Sequence, residues 1–165
     1  MFAPWTTFVE LIATPFRHAD LVWGIGPLYF GWVFNELTSK RSFRTAIQTG
    51  FSFLWAGAHW TWQHFQTHPD AGNHVSARSL LAVNVAVTAL VLIVGFLALV
   101  SGLRRKYPRY GSFLGHTRFS NYFMIAIFPI QSGYLDWSYE RLTVILLFAL
   151  PIWVLIHFGL APFRK

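Results

Sequence analysis

Seven histidines stand in this chain, and four of them, His59, His64, His68 and His74, fall close together. Most lie in the run His59-Trp60-Thr61-Trp62-Gln63-His64-Phe65-Gln66-Thr67-His68-Pro69-Asp70. A neutral imidazole is a good nitrogen ligand for zinc, copper or nickel. Two imidazoles four residues apart share one face of a helix. His64 and His68 have that spacing, and Asp70 could supply an oxygen or orient a ring. These three are the metal candidates. His59 is the candidate for a cofactor, since one imidazole suffices to ligate a chlorophyll-type pigment and small residues (Ala56, Gly57, Ala58) precede it. A haem between two histidines needs ligands at matching depth, and His59 is expected toward the outer face and His157 toward the inner. The competing account of the cluster is anchoring. Trp and other side chains with an apolar body and a polar edge gather at membrane–water boundaries. Trp55, Trp60 and Trp62 fit such a belt, and Pro69 ends the helix that would carry a compact site. The sequence requires no cofactor; a metal or a pigment stays open.

Other chemistry is easier to exclude. The chain has no cysteine, so thiolate zinc sites, iron–sulfur clusters, disulfides and thiol catalysis are absent. Gly24-x-Gly26 follows no strand and lacks the further glycine of a nucleotide fingerprint. Asp136 and Glu140 are a carboxylate pair four apart, a spacing that acid–base chemistry could use. Here Asp136 or Ser138 reads better as the cap of the following helix, with Glu140 in its first turn.

The elements that would position these groups follow from composition. Of 165 residues, 55% are hydrophobic, 19% aromatic and only 12% charged. A soluble domain carries about twice that charge, and disordered chains are poor in aromatics. An all-α, polytopic integral membrane protein remains, with one domain over residues 1–165. A bilayer core needs about 20 apolar residues per helix. Stretches without Asp, Glu, Lys or Arg place spans near residues 20–37, 45–65, 79–103, 119–135 and 142–162. The first and fourth rest on short uncharged runs, Leu21–Asn35 and Phe119–Leu135. Ahead of them, residues 5, 8, 9, 12 and 16 share one helical face, which predicts a short amphipathic helix at the membrane surface.

Five spans sort the basic residues by side. Lys40, Arg41, Arg44, Arg104, Arg105, Lys106, Arg109, Arg118, Arg164 and Lys165 fall on one side, and Arg17, Arg78 and Arg141 on the other. Short loops rich in Lys and Arg stay cytoplasmic. The expectation is an outside N-terminus and an inside C-terminus, in a bacterial inner (cytoplasmic) membrane. The net charge of +7 therefore records topology, and nucleic acid is not an expected partner. Arg104, Arg105, Lys106 and Arg109 are placed to meet anionic lipid headgroups.

Two spans carry stripes of small and polar residues. Thr45, Thr49, Ser52, Ala56, His59 and Gln63 run along the second. Asn84, Thr88, Val91, Gly95, Ala98 and Gly102 run along the third. Small residues let membrane helices approach closely, and hydroxyls and amides bond across the interface. Both stripes are expected to face protein. A wet pathway along Thr45, Gln48, Thr49, Ser52 and His59 is the alternative, but no charged residue is expected deep in the bilayer there. The functional expectation is a non-catalytic accessory subunit of a larger membrane complex, packing on partner helices, lipids or pigments. A metal- or cofactor-binding redox component is the second reading, and a small oligomeric transporter or channel is the third.

Overall fold

The computed structural model describes residues 3–37, 43–67, 75–104 and 118–163. Among them it is all-helical: α1 (Pro4–Arg17), α2 (Ala19–Leu37), α3 (Phe43–Thr67), α4 (Val75–Arg104), α5 (Arg118–Gln131) and α6 (Tyr139–Gly159), closed by a 3₁₀ turn over Ala161–Phe163. Two stretches, Leu81–Arg104 of α4 and Tyr139–Gly159 of α6, are long and apolar enough to cross a membrane. Only 17% of the apolar window of each is buried, unlike the core helix of a soluble protein. Leu90, Ile93, Phe96 and Leu97 of α4 and Leu146, Leu147, Leu150 and Leu155 of α6 are all exposed.

The other three expected spans do not reach that length and apolarity, each for a physical reason. α2 and α3 carry polar residues such as Asn35, Glu36, Thr49 and Ser52, which are buried in the bundle. α5 has 14 residues, about 21 Å at helical rise, short of the hydrocarbon thickness. The run expected to span 119–135 is therefore helical only to Gln131. It stops in a Schellman turn: Gly133 has φ +79°, and the Gly133 and Tyr134 N–H groups donate to the Ile130 and Pro129 carbonyls. Ser138 then caps α6, its side chain accepting from the Arg141 N–H at 3.1 Å.

The short helix is the middle of the bundle. α5 packs against α1, α2, α3 and α6, and Asn121, Tyr122, Ile125, Phe128, Ile130 and Gln131 are all at most 2% exposed. A helix wrapped by its neighbours need not match the bilayer in length. The most extensive helix–helix contact is the α3–α4 hairpin. A Cβ added to Gly50 would stand 2.5 Å from the Leu99 backbone nitrogen, and one on Gly102 2.9 Å from the Phe43 carbonyl oxygen. Two helix backbones thus touch where only glycine fits.

α1 lies across the bundle, packed on α2, α5 and α6. Phe8 stacks on Phe148 with ring centroids 4.3 Å apart, and Arg141 pairs with Glu10 at 3.6 Å. The buried residues are Phe8, Leu11, Thr14 and Pro15, whereas Trp5, Val9 and Phe16 of the expected apolar face are exposed. The helix is apolar on two sides, so the stripe of residues 5, 8, 9, 12 and 16 does not coincide with the protein-facing side.

Candidate functional site

Polar side chains gather at each end of the bundle and along the α2–α3 seam between. At one rim, the Asp20 Oδ2 accepts from the Tyr134 hydroxyl at 2.6 Å and from the Gln63 amide at 3.0 Å. His18 lies over the Tyr134 ring, centroids 4.3 Å apart. Burial alone would raise the Asp20 carboxyl, but the bonds from Tyr134, backbone N–H groups and Gln63 together hold it below its ordinary value. The Tyr134 hydroxyl is pushed up to about 12, first because its proton is held on Asp20.

Below this rim, the stripe on α3 faces α2. The His59 ring fills the place a Gly24 side chain would take, where a Cβ would sit 2.6 Å from it. Its other side is stacked near Phe128, centroids 5.5 Å apart. The His59 Nε2 is buried and has no hydrogen-bond partner. A turn further, the Ser52 hydroxyl donates to the Pro27 carbonyl at 2.9 Å, and the Trp55 indole donates to the Trp23 carbonyl at 3.3 Å. Proline has no N–H, so the Trp23 carbonyl lacks its normal helical donor. The Trp55 indole of α3 therefore supplies the donor that Pro27 withholds from α2. Next, the Asn35 amide donates to Thr49 at 3.3 Å, and Thr45 is fully buried.

At the opposite rim, Glu36 is fully buried and stands 3.6 Å from the His157 Nδ1 of α6. Glu36 falls at the end of the first expected span, 20–37. It is helical and enclosed, the single buried acid among the described residues. An enclosed ionisable residue in a membrane bundle is expensive and keeps a partner.

The stripe on α4 divides. Gly95, Ala98 and Gly102 lie in the contact with α3, where a Cβ on Gly95 would meet Phe53 and Leu54. Towards the first rim, Thr88 bonds Gln131 at 3.5 Å, and the Asn84 amide oxygen accepts from the Trp137 indole. α3 meets α4 through a different row from its Thr/Ser stripe: Gly50 and Gly57, seven residues apart like Gly95 and Gly102. That shared spacing was the signal available in sequence. Ala56 is fully buried in the core between these rows.

The histidine candidates separate. His59 turns to α2, while His64 lines a groove between the outer halves of α3 and α4. His68 and Asp70 lie outside the described residues, as do Arg105, Lys106 and Arg109. Arg104 ends α4 and is exposed. Among the described residues, no three His, Asp or Glu side chains converge as a metal site. The groove, about 280 Å³, is walled by Trp60, Thr61, Phe65, Val85, Ala89 and Leu92 besides His64. No protein family, no curated protein and no solved structure matches this chain.

Proposed function

We propose that this chain is a non-catalytic subunit of a larger membrane complex, crossing the bilayer five times with its N-terminus outside and its C-terminus in the cytoplasm. The observation that carries the reading is α4. It is held extensively by α3 alone, and its far side is a continuous apolar surface of Leu90, Ile93, Phe96 and Leu97. A helix fixed along one side is a natural acceptor for a partner helix. The five-pass order is supported by which ends meet. Asp20, Gln63 and Tyr134 join at one rim, and Glu36 and His157 at the other. Helices alternate in direction, as the basic-residue count requires. A bacterial inner membrane is the setting that count fits best.

The test is purification of the tagged protein from its native membrane in mild detergent. Co-elution with other membrane proteins in fixed ratio is expected, and Phe96→Gln with Leu97→Gln weakens it. Elution alone, or only with further copies of itself, overturns the reading. The buried Glu36 favours one second reading, a small oligomeric transporter or channel. Ion flux into liposomes that Glu36→Gln abolishes would decide for it.

A further inference from the structure

The two halves of α6 are held differently. Before Pro151, Val144, Ile145 and Ala149 are buried, and ties to two helices fix the segment. Phe148 stacks on Phe8 of α1, and Arg141 pairs with Glu10 of α1. The Tyr122 hydroxyl of α5 donates to the Ile145 carbonyl at 2.9 Å. From Pro151 onward no residue of α6 is buried. Ile152 and Ile156 pack part-way against the core, while Val154, Leu155 and Phe158 are exposed. α6 packs on α1 and α5 but not extensively on α2. Its His157 nevertheless reaches α2, with Nδ1 3.6 Å from the Glu36 Oε2. The Glu36 side chain is 0% exposed and that of His157 is 24% exposed. Trp153, one turn back, stacks on the imidazole with centroids 5.2 Å apart.

Two properties turn this contact into a device. Pro151 has no N–H for the Leu147 carbonyl, so a rung is missing between the halves of α6, and helices bend most readily at such a point. The carboxylate is enclosed, so taking a partner charge from it is strongly destabilising. An imidazole gains or loses its charge between about pH 5 and 8. We propose that Pro151–Gly159 is an arm that pivots at Pro151 and is latched to α2 by His157 and Glu36, and that loss of the imidazolium charge releases it. Release opens Glu36 to solvent, so the latch governs access to the one buried acid among the described residues. The inference stands apart from the subunit reading, because the arm can be latched in the free chain or within a complex. Other groups able to carry charge lie on the elements around the pair. α3 brings Arg44, which is exposed, and α5 begins at Arg118. Tyr122 of α5 is engaged with Ile145, and Tyr29 lies two turns back on α2. Glu10, Arg17 and His18 of α1, Asp20 of α2 and Glu140 and Arg141 of α6 belong to the opposite rim.

The chain has no cysteine, so spin labels go only where cysteines are introduced. Val33 of α2, Leu146 before the pivot and Ala161 beyond the arm are all exposed. Val33→Cys with Ala161→Cys reports the arm. Val33→Cys with Leu146→Cys is the reference, which also reads any movement caused by His18 at the opposite rim. Distances are measured by pulsed electron paramagnetic resonance on the purified protein in detergent, from about pH 5 to 8. Ala161 lies ten residues past the pivot, about 15 Å of helix, so a bend of about 20° moves it by about 5 Å. The arm distance is expected to change by about that much as pH rises, while the reference distance stays constant. Glu36→Gln and His157→Phe should each make the arm distance independent of pH. A constant arm distance with Glu36 and His157 both in place overturns the proposal, as does an equal change in the reference pair. A pH-dependent arm distance that survives in Glu36→Gln or His157→Phe overturns it as well. The first two outcomes are read with the latch pair intact, so the answer does not hang on how either variant folds.

Discussion

Replacing Gly50 by Ala should drive the α3–α4 hairpin apart, and the cost can be worked from the contact. The new Cβ would lie 2.5 Å from the Leu99 nitrogen, 2.7 Å from the Gly95 oxygen and 2.8 Å from the Leu99 Cα. Non-bonded carbon contacts are comfortable at about 3.5–4.0 Å. All three neighbours are backbone atoms, so none can rotate aside, and the helices must separate by about 1 Å. A gap of that size forfeits about a quarter to a half of the dispersion energy of the atoms along it. Overpacking of this kind costs about 1–3 kcal/mol, offset by about 1 kcal/mol from the better helix propensity of Ala. The net loss is about 0–2 kcal/mol. Three further glycines calibrate the argument. Gly102→Ala also meets backbone, at 2.9 Å, and should resemble Gly50→Ala. Gly57→Ala meets the tip of the Leu92 side chain, which can move, and should cost less. Gly26→Ala meets nothing within 4 Å and should be neutral or slightly stabilising. Unfolding in mixed micelles by rising dodecyl sulfate, followed by circular dichroism, ranks the four midpoints. If Gly50→Ala unfolds with Gly26→Ala, backbone contact does not hold this hairpin.

Three other outcomes are expected. Trp55→Phe leaves the Trp23 carbonyl without a donor and should cost about 1 kcal/mol; Pro27→Ala restores an N–H, so the double variant should recover, and failure to recover removes the explanation. His157→Leu should destabilise more than Glu36→Leu, because it takes a partner from a fully buried carboxylate. The double replacement should be milder than His157→Leu, and the same unfolding titration reads the order. The lowered Asp20 carboxyl contributes stability that is present above the usual carboxylate value of 3.8 and lost as pH falls below it. Asp20→Asn and Tyr134→Phe should both flatten that acid limb in a series of thermal midpoints against pH, and a limb unchanged in both would show that the rim does not set it.

Much of the fold was legible because it depends on composition and local period. Low charge and high aromatic content go with an all-helical bundle in which two helices are long and apolar enough to cross a membrane, and Ser138 marks where α6 begins. The two helices with the most continuous apolar runs are the two whose exposed apolar faces identify them. What sequence could not decide was pairing. Tyr134 meets Asp20 across 114 positions, and Glu36 meets His157 only because α2 and α6 run the same way. A stripe of small residues says that a helix faces protein, yet α3 has two such rows, Thr49–Ser52 and Gly50–Gly57. Which row takes which neighbour depends on all the helices at once.

The amphipathic helix shows the same limit. Packed on the bundle by Phe8 and Leu11 with Trp5, Val9 and Phe16 exposed, α1 is apolar on both sides, so its period is clear and its inward face is not. One of the two short uncharged runs, Phe119–Leu135, forms the centre of the structure, because burial by protein removes the length requirement that lipid imposes. The four clustered histidines were the loudest chemical signal, but a helix turns about 100° per residue. His59 is thereby sent to α2 and His64 to the α3–α4 groove. The sequence determined that this is an apolar helical bundle with few charges to spare. Only the tertiary structure decided where those few polar groups meet, because contacts between distant residues are set by packing the whole chain and not by any local pattern.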